Sequence, residues 1–505
     1  MRIVLLFVAG LISMGTQAQG IEKAKIDKLA DAYFLSGIEK LKDFLRLPNY
    51  GGNLDNIDLN VKWCLEEFQS LGFHTQLLTQ EGVKHVFASR TYNENSPTIL
   101  FYLQMDGQPV DFSEWFQESP YVPVLKECTG DKCTLLPWEA LTASFDPNWK
   151  LFARSASDSK GPAVTFIESL RILQDKSIPS EINIKVIMDF QEELGSPKLS
   201  ALVKSNRELF AADAMLIMDG TRPPGNLPTL TFGARGIATL KLTAYGAKKN
   251  LHSGQYGNYA PNPVFDLARI LASMKDPEGK VLVKGFYDGV ALSEATKTII
   301  NTVPENKEEL LNNLGIAAAE KIGATYQEAL QYPSLNVRGL KAGWVGNEVR
   351  TIIPSKAIAE IDMRLVTETP AKRQIQLVRN HIEALGYHIL DHPPTPEERA
   401  SYSKLIRMDS RIGSLPFKTA IDSPLGAWLG RSMKHVFGEG NYVRMQATGG
   451  SQPIAPFIST LGIPALSVRI PNPDNSIHAP NENLRLGNFH EGLKMCLSIL
   501  TQKYE

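Results

Sequence analysis

Carboxylates that follow predicted strands are the side chains in this sequence best suited to chemistry. The apolar segment 98–103 leads into Gln104 and Asp106, and a lone Asp158 stands among small residues just before a predicted helix. In α/β proteins, polar groups at the carboxyl ends of parallel strands collect at one edge of the sheet, where they can bind a metal ion. This pattern predicts hydrolysis assisted by a divalent cation.

More acidic and imidazole groups follow along the chain. Glu192 and Glu193 form an acidic pair after the predicted strand 182–190, Asp219 follows another apolar segment, and His478 lies near the C-terminus. Attack of water on an amide needs a Lewis acid, a base and a group that neutralises the oxyanion. Each residue alone has an ordinary explanation as a helix cap, a turn residue or a solvated acid. The hypothesis therefore depends on their occurring together.

Seven motifs give these residues a common interpretation. In chain order they are Asp106-Gly-Gln-Pro-Val-Asp111, Ala156-Ser-Asp-Ser-Lys-Gly161, Gln191-Glu-Glu-Leu-Gly-Ser-Pro197, Leu251-His-Ser-Gly254, Thr351-Ile-Ile-Pro354 with Met363-Arg-Leu365, Gly449-Gly-Ser-Gln-Pro453, and His478-Ala-Pro-Asn-Glu482. The set resembles the M20 metallopeptidase family, and its Gln-Pro-Val-Asp and Gly-Ser-Pro forms are most similar to the carnosinase and dipeptidase branch.

The resemblance implies a role for each residue of a metal centre. Asp158 would bridge two zinc ions, with Glu193 and His478 completing one site and Asp219 belonging to the other. Glu192 would be the general base that takes a proton from the attacking water.

The resemblance also implies residues around that centre. Asp106 would orient a metal ligand, and His252 in a lid domain would reach the substrate oxyanion of a partner subunit. The residues expected to hold the substrate's carboxylate end and backbone are Thr351, Arg364, Gly450 and Ser451. Arginine suits a terminal carboxylate because its planar fork binds both oxygens.

Gln104 departs from the family pattern, which has a histidine ligand for the second metal at this position. A neutral amide oxygen is a weaker and harder donor for zinc than imidazole. The ion paired with Asp219 is therefore expected to bind weakly, to be a harder ion, or to be missing. The preferred interpretation is a one-zinc hydrolase, with Mn²⁺ or Co²⁺ as possible ions. Occupancy by two metals, with Gln104 as an oxygen ligand, is one alternative.

A second alternative is a catalytically impaired protein that binds metal or peptide on the same scaffold. Retention of Glu192 and His252 favours the enzyme, because neither is an expected metal ligand. The expected substrate is a dipeptide, a short peptide or an N-acyl amino acid. The expected partner is a second copy of the chain, bound through the lid.

Composition excludes some other partners. The 505 residues carry a formal net charge of −1, with 43% hydrophobic and 21% charged residues, and so offer no basic excess for nucleic acid. The apolar run 3–12 follows Arg2 and is too short to span a bilayer, and small residues lead to Ala18. We expect a signal peptide over 1–18, a periplasmic or secreted location, and no membrane span.

The cysteines agree with an oxidising compartment. Cys128 and Cys133 flank a turn-like spacer and could form a local disulfide, whereas Cys64 and Cys496 lie in helical patterns and are expected to be free and buried. The stretch 128–150 shows no clear periodicity and predicts a surface excursion.

The alternation of apolar segments predicts an α/β fold of two parts. Strands are expected at 97–103, 182–190 and 213–218, with helices at 161–174 and 196–206, which favours a mainly parallel sheet. Alternating strands and helices over 234–415 predict an antiparallel α+β insert. The predicted architecture is a zinc-peptidase-like catalytic domain, 19–233 and 416–505, interrupted by a lid and dimerisation domain over 234–415.

Overall fold

The computed structural model describes residues 20–130, 132–143 and 145–504. The signal peptide predicted over 1–18 lies outside these ranges. Within them, no helix is long and apolar enough to cross a membrane.

The strands of the described residues are numbered in chain order. They are β1 (His74–Gln80), β2 (Val83–Arg90), β3 (Thr98–Gln104), β4 (Val124–Thr129), β5 (Lys132–Leu136), β6 (Lys150–Phe152), β7 (Asn183–Asp189), β8 (Ala214–Ile217), β9 (Thr229–Thr231), β10 (Gly233–Ala234), β11 (Gly236–Tyr245), β12 (Leu251–His252), β13 (Ser334–Lys341), β14 (Ile352–Ile353), β15 (Lys356–Leu365), β16 (His388–Leu390), β17 (Leu405–Ile412), β18 (Phe417–Lys418), β19 (Val443–Met445), β20 (Ala465–Arg469) and β21 (Asn483–Arg485).

The α-helices are numbered in the same way. They are α1 (Lys23–Leu45), α2 (Leu54–Ser70), α3 (Ala140–Ala143), α4 (Lys160–Asp175), α5 (Leu199–Ser205), α6 (Ser253–Tyr256), α7 (Pro263–Met274), α8 (Glu294–Ile300), α9 (Lys307–Leu314), α10 (Tyr326–Ala329), α11 (Ala371–Ala384), α12 (Pro396–Ser401), α13 (Pro424–Phe437), α14 (Ala455–Leu461) and α15 (Leu486–Thr501).

The larger sheet has eight strands in the order β1-β2-β7-β3-β8-β20-β9-β19. The central strands β7, β3, β8 and β20 run parallel. At one edge β1 and β2 pair antiparallel, and β9 is antiparallel to β20. The predicted parallel sheet is therefore correct for the centre, and antiparallel strands extend it.

Strand β3 shows why the site lies where it does. Its sequence Thr-Ile-Leu-Phe-Tyr-Leu-Gln is apolar on both faces, and all residues after Thr98 are buried. Phe101 and Leu103 join the core that contains α1, α4 and α15, whereas Leu100 and Tyr102 join the core that contains α5 and α14. A strand covered on both faces occupies the middle of an α/β sheet, and its carboxyl end opens onto the site.

A second sheet has the order β13-β15-β11-β17-β16 and falls between residues 236 and 412, within the predicted lid range. Its pairings are antiparallel except that between β16 and β17. Strand β15 alternates between buried and less buried residues, and its buried face packs with α7 and α11 around a separate core. The alternation of the sequence therefore predicted a sheet with one covered face.

Two regions are more ordered than the sequence predicted. Within 128–150, β5 pairs with β4 as a hairpin, and β4 and β6 belong to a four-stranded sheet with β21. A disulfide joins Cys128 to Cys133 across that hairpin, while Cys64 and Cys496 are free and buried. Between α7 and β13, the short helices α8, α9 and α10 were not predicted.

Candidate metal centre and substrate site

Three side chains from separate elements meet beside the carboxyl end of the central strands. Asp158 lies just before α4, Glu193 follows β7, and His478 lies in the loop between β20 and β21. One ligand atom from each residue lies within 4.8 Å of the other two. His478 Nε2 is 2.9 Å from Asp158 Oδ2 and 3.4 Å from Glu193 Oε2. Two carboxylates and one imidazole are a ligand set that zinc accepts in catalytic sites.

The charges at this cluster favour a cation. Burial, followed by the nearby Asp158, raises the pKa of Glu193 to about 8. The hydrogen bond to Asp158 raises the pKa of His478 to about 9. Burial and then Asp158 also raise the pKa of Asp219. Because a divalent cation offsets repulsion among carboxylates, the residues present fit such an ion.

Asp106 organises the turn that carries the acidic pair. Its Oδ1 accepts a hydrogen bond from the Glu192 backbone N–H at 2.9 Å, and its Oδ2 accepts one from the Glu193 N–H at 3.1 Å. Burial, then Asp219 and Asp158, raise the pKa of Glu192 well above its usual range. The predicted base and a predicted ligand are thus oriented by one buried carboxylate.

Asp219 is connected to the cluster through Ser159. Ser159 Oγ lies 3.0 Å from Asp158 Oδ1 and 2.6 Å from Asp219 Oδ1. On its other oxygen, Asp219 accepts a hydrogen bond of 3.3 Å from Gln452 Nε2. These contacts hold Asp219 next to Asp158.

Gln104 is buried at the end of β3, and its amide nitrogen has no hydrogen-bond partner among the described residues. Within the same residues, no hydrogen bond connects Gln104 to Asp158, Asp219 or the other predicted ligands. Its side chain can offer the centre only an amide group.

Glu482 holds the loop of Asp158, a role that the sequence analysis did not predict. Its buried carboxylate accepts four hydrogen bonds of 2.7–2.9 Å, from Arg154 Nη1 and from the backbone N–H groups of Ser155, Ser157 and Asp158. Because Glu482 follows His478 in the same loop, it ties together the two segments that carry metal ligands. Its place in the His478 motif was the available signal.

Gln108 is a second missed residue. Its Nε2 donates a hydrogen bond of 2.7 Å to Glu193 Oε2, the same oxygen that faces His478. An outer partner of this kind fixes the orientation of a ligating carboxylate. Gln108 belongs to the Gln-Pro-Val-Asp motif, but the sequence alone gave no reason to pair it with Glu193.

Three of the four predicted substrate residues lie together where the two sheets approach each other. Arg364, on β15, donates a hydrogen bond of 3.0 Å from Nη1 to Ser451 Oγ. The adjacent Gly450 accepts a bond of 3.2 Å from the Arg235 backbone N–H. A guanidinium beside a hydroxyl and a glycine backbone is suited to hold a carboxylate.

Thr351, the fourth residue, lies with His252 instead. The backbone oxygen of Thr351 accepts a hydrogen bond of 3.2 Å from the Ser253 N–H, and His252 pairs with Ile352 between β12 and β14. His252 is exposed, and its Nδ1 accepts a bond of 3.1 Å from the Gly254 N–H. In the described chain, no hydrogen bond or ion pair joins His252 to the three-ligand cluster.

The fold and this centre define a metal-dependent peptidase. The model of peptidase family M20/M25/M40 matches residues 124–502, and the chain belongs to this family. The predicted family, fold class and enzyme class are confirmed.

Individual relatives agree with this assignment. The Beta-Ala-His dipeptidase of Mus musculus is 27% identical over 465 residues, covering 89% of this chain and 84% of the relative. The Cys-Gly metallodipeptidase of Schizosaccharomyces pombe is 27% identical over 409 residues, covering 79% of this chain and 78% of the relative.

Solved structures have the same fold. An M20 family metallo-carboxypeptidase from Sulfolobus solfataricus has a TM-score of 0.74 at 27% identity, covering 92% of this chain and 98% of that chain. Human carnosine dipeptidase 1 has a TM-score of 0.71 at 23% identity, covering 96% of this chain and 98% of that chain. Since both similarities extend over nearly the whole length, the five-stranded second sheet belongs to the shared fold.

Proposed function

We propose that this peptidase hydrolyses the amide bond of a dipeptide, a short peptide or an N-acyl amino acid. The observation that carries the proposal is the convergence of Asp158, Glu193 and His478, with Glu192 on the turn that Asp106 holds beside Glu193. The names of two relatives, a Beta-Ala-His dipeptidase and a Cys-Gly metallodipeptidase, support a dipeptide substrate.

Each group has a proposed part in the reaction. A bound divalent cation, zinc in our preferred interpretation and Mn²⁺ or Co²⁺ otherwise, supplies Lewis acidity toward the scissile carbonyl and lowers the pKa of a water molecule. Glu192 accepts the proton of the attacking water and returns it to the leaving amine. Arg364, Gly450 and Ser451 hold the carboxylate end of the substrate, and the bond from Arg364 to Ser451 supports this role.

We further propose one tightly bound ion per chain. Asp158, Glu193 and His478 supply three protein ligands and leave a position for water, which suffices for a catalytic zinc site. A second ion would depend on Asp219, Asp158 and the weak amide donor of Gln104. Gln104 also leaves open the alternative function, a protein that binds metal or peptide without turnover, although Glu192 and His252 are present.

His252 is proposed to act across a homodimer formed through the lid, and Thr351 is proposed to bind substrate. The exposure of His252 on the β12–β14 pair supports its role, because a second subunit can reach an exposed side chain. His252 would then stabilise the oxyanion in the partner's site.

The proposed location is the periplasm or the exterior of the cell. The sequence of residues 1–18 supports it, as does the disulfide between Cys128 and Cys133, which suits an oxidising compartment. N-terminal sequencing of the mature protein is expected to begin at Gln19. An intact Met1 would contradict the proposal.

Metal analysis followed by a mass-spectrometric screen tests the proposed function. The purified protein should carry about one zinc per chain and hydrolyse members of a panel of dipeptides and N-acyl amino acids. A chelator should abolish turnover, and added Zn²⁺ should restore it. Bound metal without turnover of any amide would favour the binding protein, and absence of bound metal after reconstitution would overturn the metal-dependent hydrolase.

A further inference from the structure

Asp189, the last residue of β7, is a fully buried carboxylate next to the turn that carries Glu192 and Glu193. Its Oδ1 accepts a hydrogen bond of 2.9 Å from the Gln191 backbone N–H, and its Oδ2 accepts one from Ser196 Oγ. Gln191 and Ser196 are the two ends of this turn, so one carboxylate holds both ends. Nothing in the proposed function so far uses Asp189.

The turn 191–196 has a backbone conformation that needs such support. The Ser196 N–H closes the turn by donating a hydrogen bond of 2.9 Å to the Gln191 backbone oxygen. Ser196 has a φ of 45°, in the left-handed region that residues other than glycine rarely adopt. Because its Oγ bond to Asp189 compensates for this conformation, weakening that bond should loosen the C-terminal end of the turn.

Asp189 is itself fixed to the central sheet. On β3, Tyr102 Oη donates a hydrogen bond of 2.9 Å to Asp189 Oδ2. The Met105 N–H, just after β3, donates one of 2.8 Å to the Asp189 backbone oxygen. On β2, the buried His85 places its Nε2 3.5 Å from Asp189 Oδ1. The carboxylate that holds the turn is therefore in contact with the strands on both sides of β7.

Asp106 and Asp189 support different parts of the turn. Asp106 accepts hydrogen bonds from the N–H groups of Glu192 and Glu193 in the middle, whereas Asp189 binds the two ends. The carboxylate of Glu193 has a donor of its own in Gln108. Among the described residues, no hydrogen bond fixes the carboxylate of Glu192, so its direction depends on the conformation of the turn.

We propose that Asp189 is a positioning residue for the reaction, which directs the Glu192 carboxylate by holding both ends of the turn 191–196. The inference rests on the proposed function, in which Glu192 is the general base. A base must lie within hydrogen-bond distance of the proton that it accepts, and a displacement of about 1 Å can cost about 10²-fold in rate. Asp189 is buried beneath the turn and acts through it.

Steady-state kinetics of Asp189→Asn at saturating metal test the inference. Asparagine keeps the shape of the side chain but presents an NH₂ group to one set of donors. We expect kcat to fall about 10–100-fold, the usual cost of losing an outer partner. KM should change less than about threefold, because other elements hold the substrate. Tyr102→Phe removes a single donor and should lower kcat by a smaller factor, and it serves as the second variant if Asp189→Asn does not fold.

The matched control is an aspartate–tyrosine pair in the lid. Asp266 Oδ1 accepts a hydrogen bond of 3.1 Å from Tyr387 Oη, and Tyr387 is 5% exposed. Asp266→Asn and Tyr387→Phe should lower the melting temperature and keep kcat within about twofold of the parent value, because they remove only a stabilising bond. An unchanged kcat in Asp189→Asn, a rise in KM without a fall in kcat, or an equal fall in kcat in the lid variants would each overturn the inference.

Hydrogen exchange separates this inference from the proposed function. In the metal-loaded protein, peptides that cover residues 191–196 should exchange faster in Asp189→Asn than in the parent, and at the parent rate in Asp266→Asn. If no amide is hydrolysed but this difference is found, the proposed function fails, while the role of Asp189 in holding the turn stands. If dipeptides are hydrolysed and both kcat and exchange in Asp189→Asn match the parent, the assignment of Asp189 alone fails.

Discussion

The metal centre and the strand pair that carries His252 differ in burial and in the number of hydrogen bonds that fix them. At the centre, Asp158 is 5% exposed, and its loop receives its shape from the fully buried Glu482. In the lid, β12 and β14 contribute only two residues each, and His252 is exposed with one local hydrogen bond from Gly254.

The difference indicates which parts of the reaction one chain can prepare alone. Ligands for an ion must be fixed before the ion arrives, because their convergence is opposed by repulsion between carboxylates. Buried hydrogen bonds supply that fixation at Asp158 and Glu193. A residue that serves a neighbouring subunit must instead remain accessible, as His252 is.

The largest expected effect comes from removing Glu192, the proposed general base. Glu192→Gln should lower kcat by about 10³-fold, since a positioned general base contributes about 10²–10⁴-fold. Metal content should stay unchanged, because Glu192 is not a proposed ligand. Steady-state kinetics measures kcat, and metal analysis of the same sample measures the metal content. Loss of the metal together with unaffected residual turnover would assign Glu192 to binding and not to catalysis.

Mixed dimers test whether the exposed His252 acts in the site of the partner subunit. His252→Ala and Glu192→Gln should each be inactive as homodimers, yet a mixed dimer contains one site with both groups. Random mixing in equal amounts should restore about a quarter of the parent activity, because half of the dimers are mixed and each has one complete site. No recovery in dimers verified as mixed by native mass spectrometry would show that His252 does not act across subunits.

Individual strands and helices show how much of the fold the sequence could predict. Strands β3 and β15 were predictable because their residue types record their surroundings: continuous apolar residues in one, alternation in the other. The β4–β5 hairpin was not, since most of β5 is exposed and its order comes from pairing with β4 and the disulfide. Helices as short as α10 depend on tertiary contacts for their stability.

For the candidate site, the three residues that converge were predictable and the residues that support them were not. Asp158, Glu193 and His478 stand in recognisable motifs whose order suggested a common centre. The bond from the Asp158 N–H to Glu482 joins residues 324 positions apart, and nothing in the local sequence of either predicts it. Outer contacts of this kind emerge only when the loops are packed against each other.

Substitution of Glu482 therefore tests whether buried hydrogen bonds fix the metal ligands before the ion binds. Glu482→Gln replaces one acceptor oxygen by an NH₂ group that must face N–H donors, so the loop of Asp158 should shift. Zinc affinity of the apo protein, measured by calorimetry, should fall by about 10–100-fold, as is usual when an outer partner of a ligand is lost.

The matched control is Glu168→Gln on α4, a carboxylate that is 2% exposed and bound to Ser36 Oγ at 2.8 Å. It should alter the melting temperature of the apo protein without changing zinc affinity. The rise in Tm on adding zinc, compared between the two variants, separates a loss of zinc affinity from a loss of stability, because that rise depends on affinity. Equal losses of affinity in both variants would reduce Glu482 to a general stabilising residue.

The smallest expected change is the gain of one metal ion per chain when Gln104 is replaced by histidine. Gln104→His supplies an imidazole at the end of β3, so metal content should rise from about one toward two ions per chain. Gln104→Asn retains an amide and should leave the content at about one. An unchanged content in Gln104→His would show that this side chain does not face the second position beside Asp219. Two ions already present in the parent protein would mean that the amide oxygen is a sufficient ligand, and the centre would then be prepared for two metals without histidine.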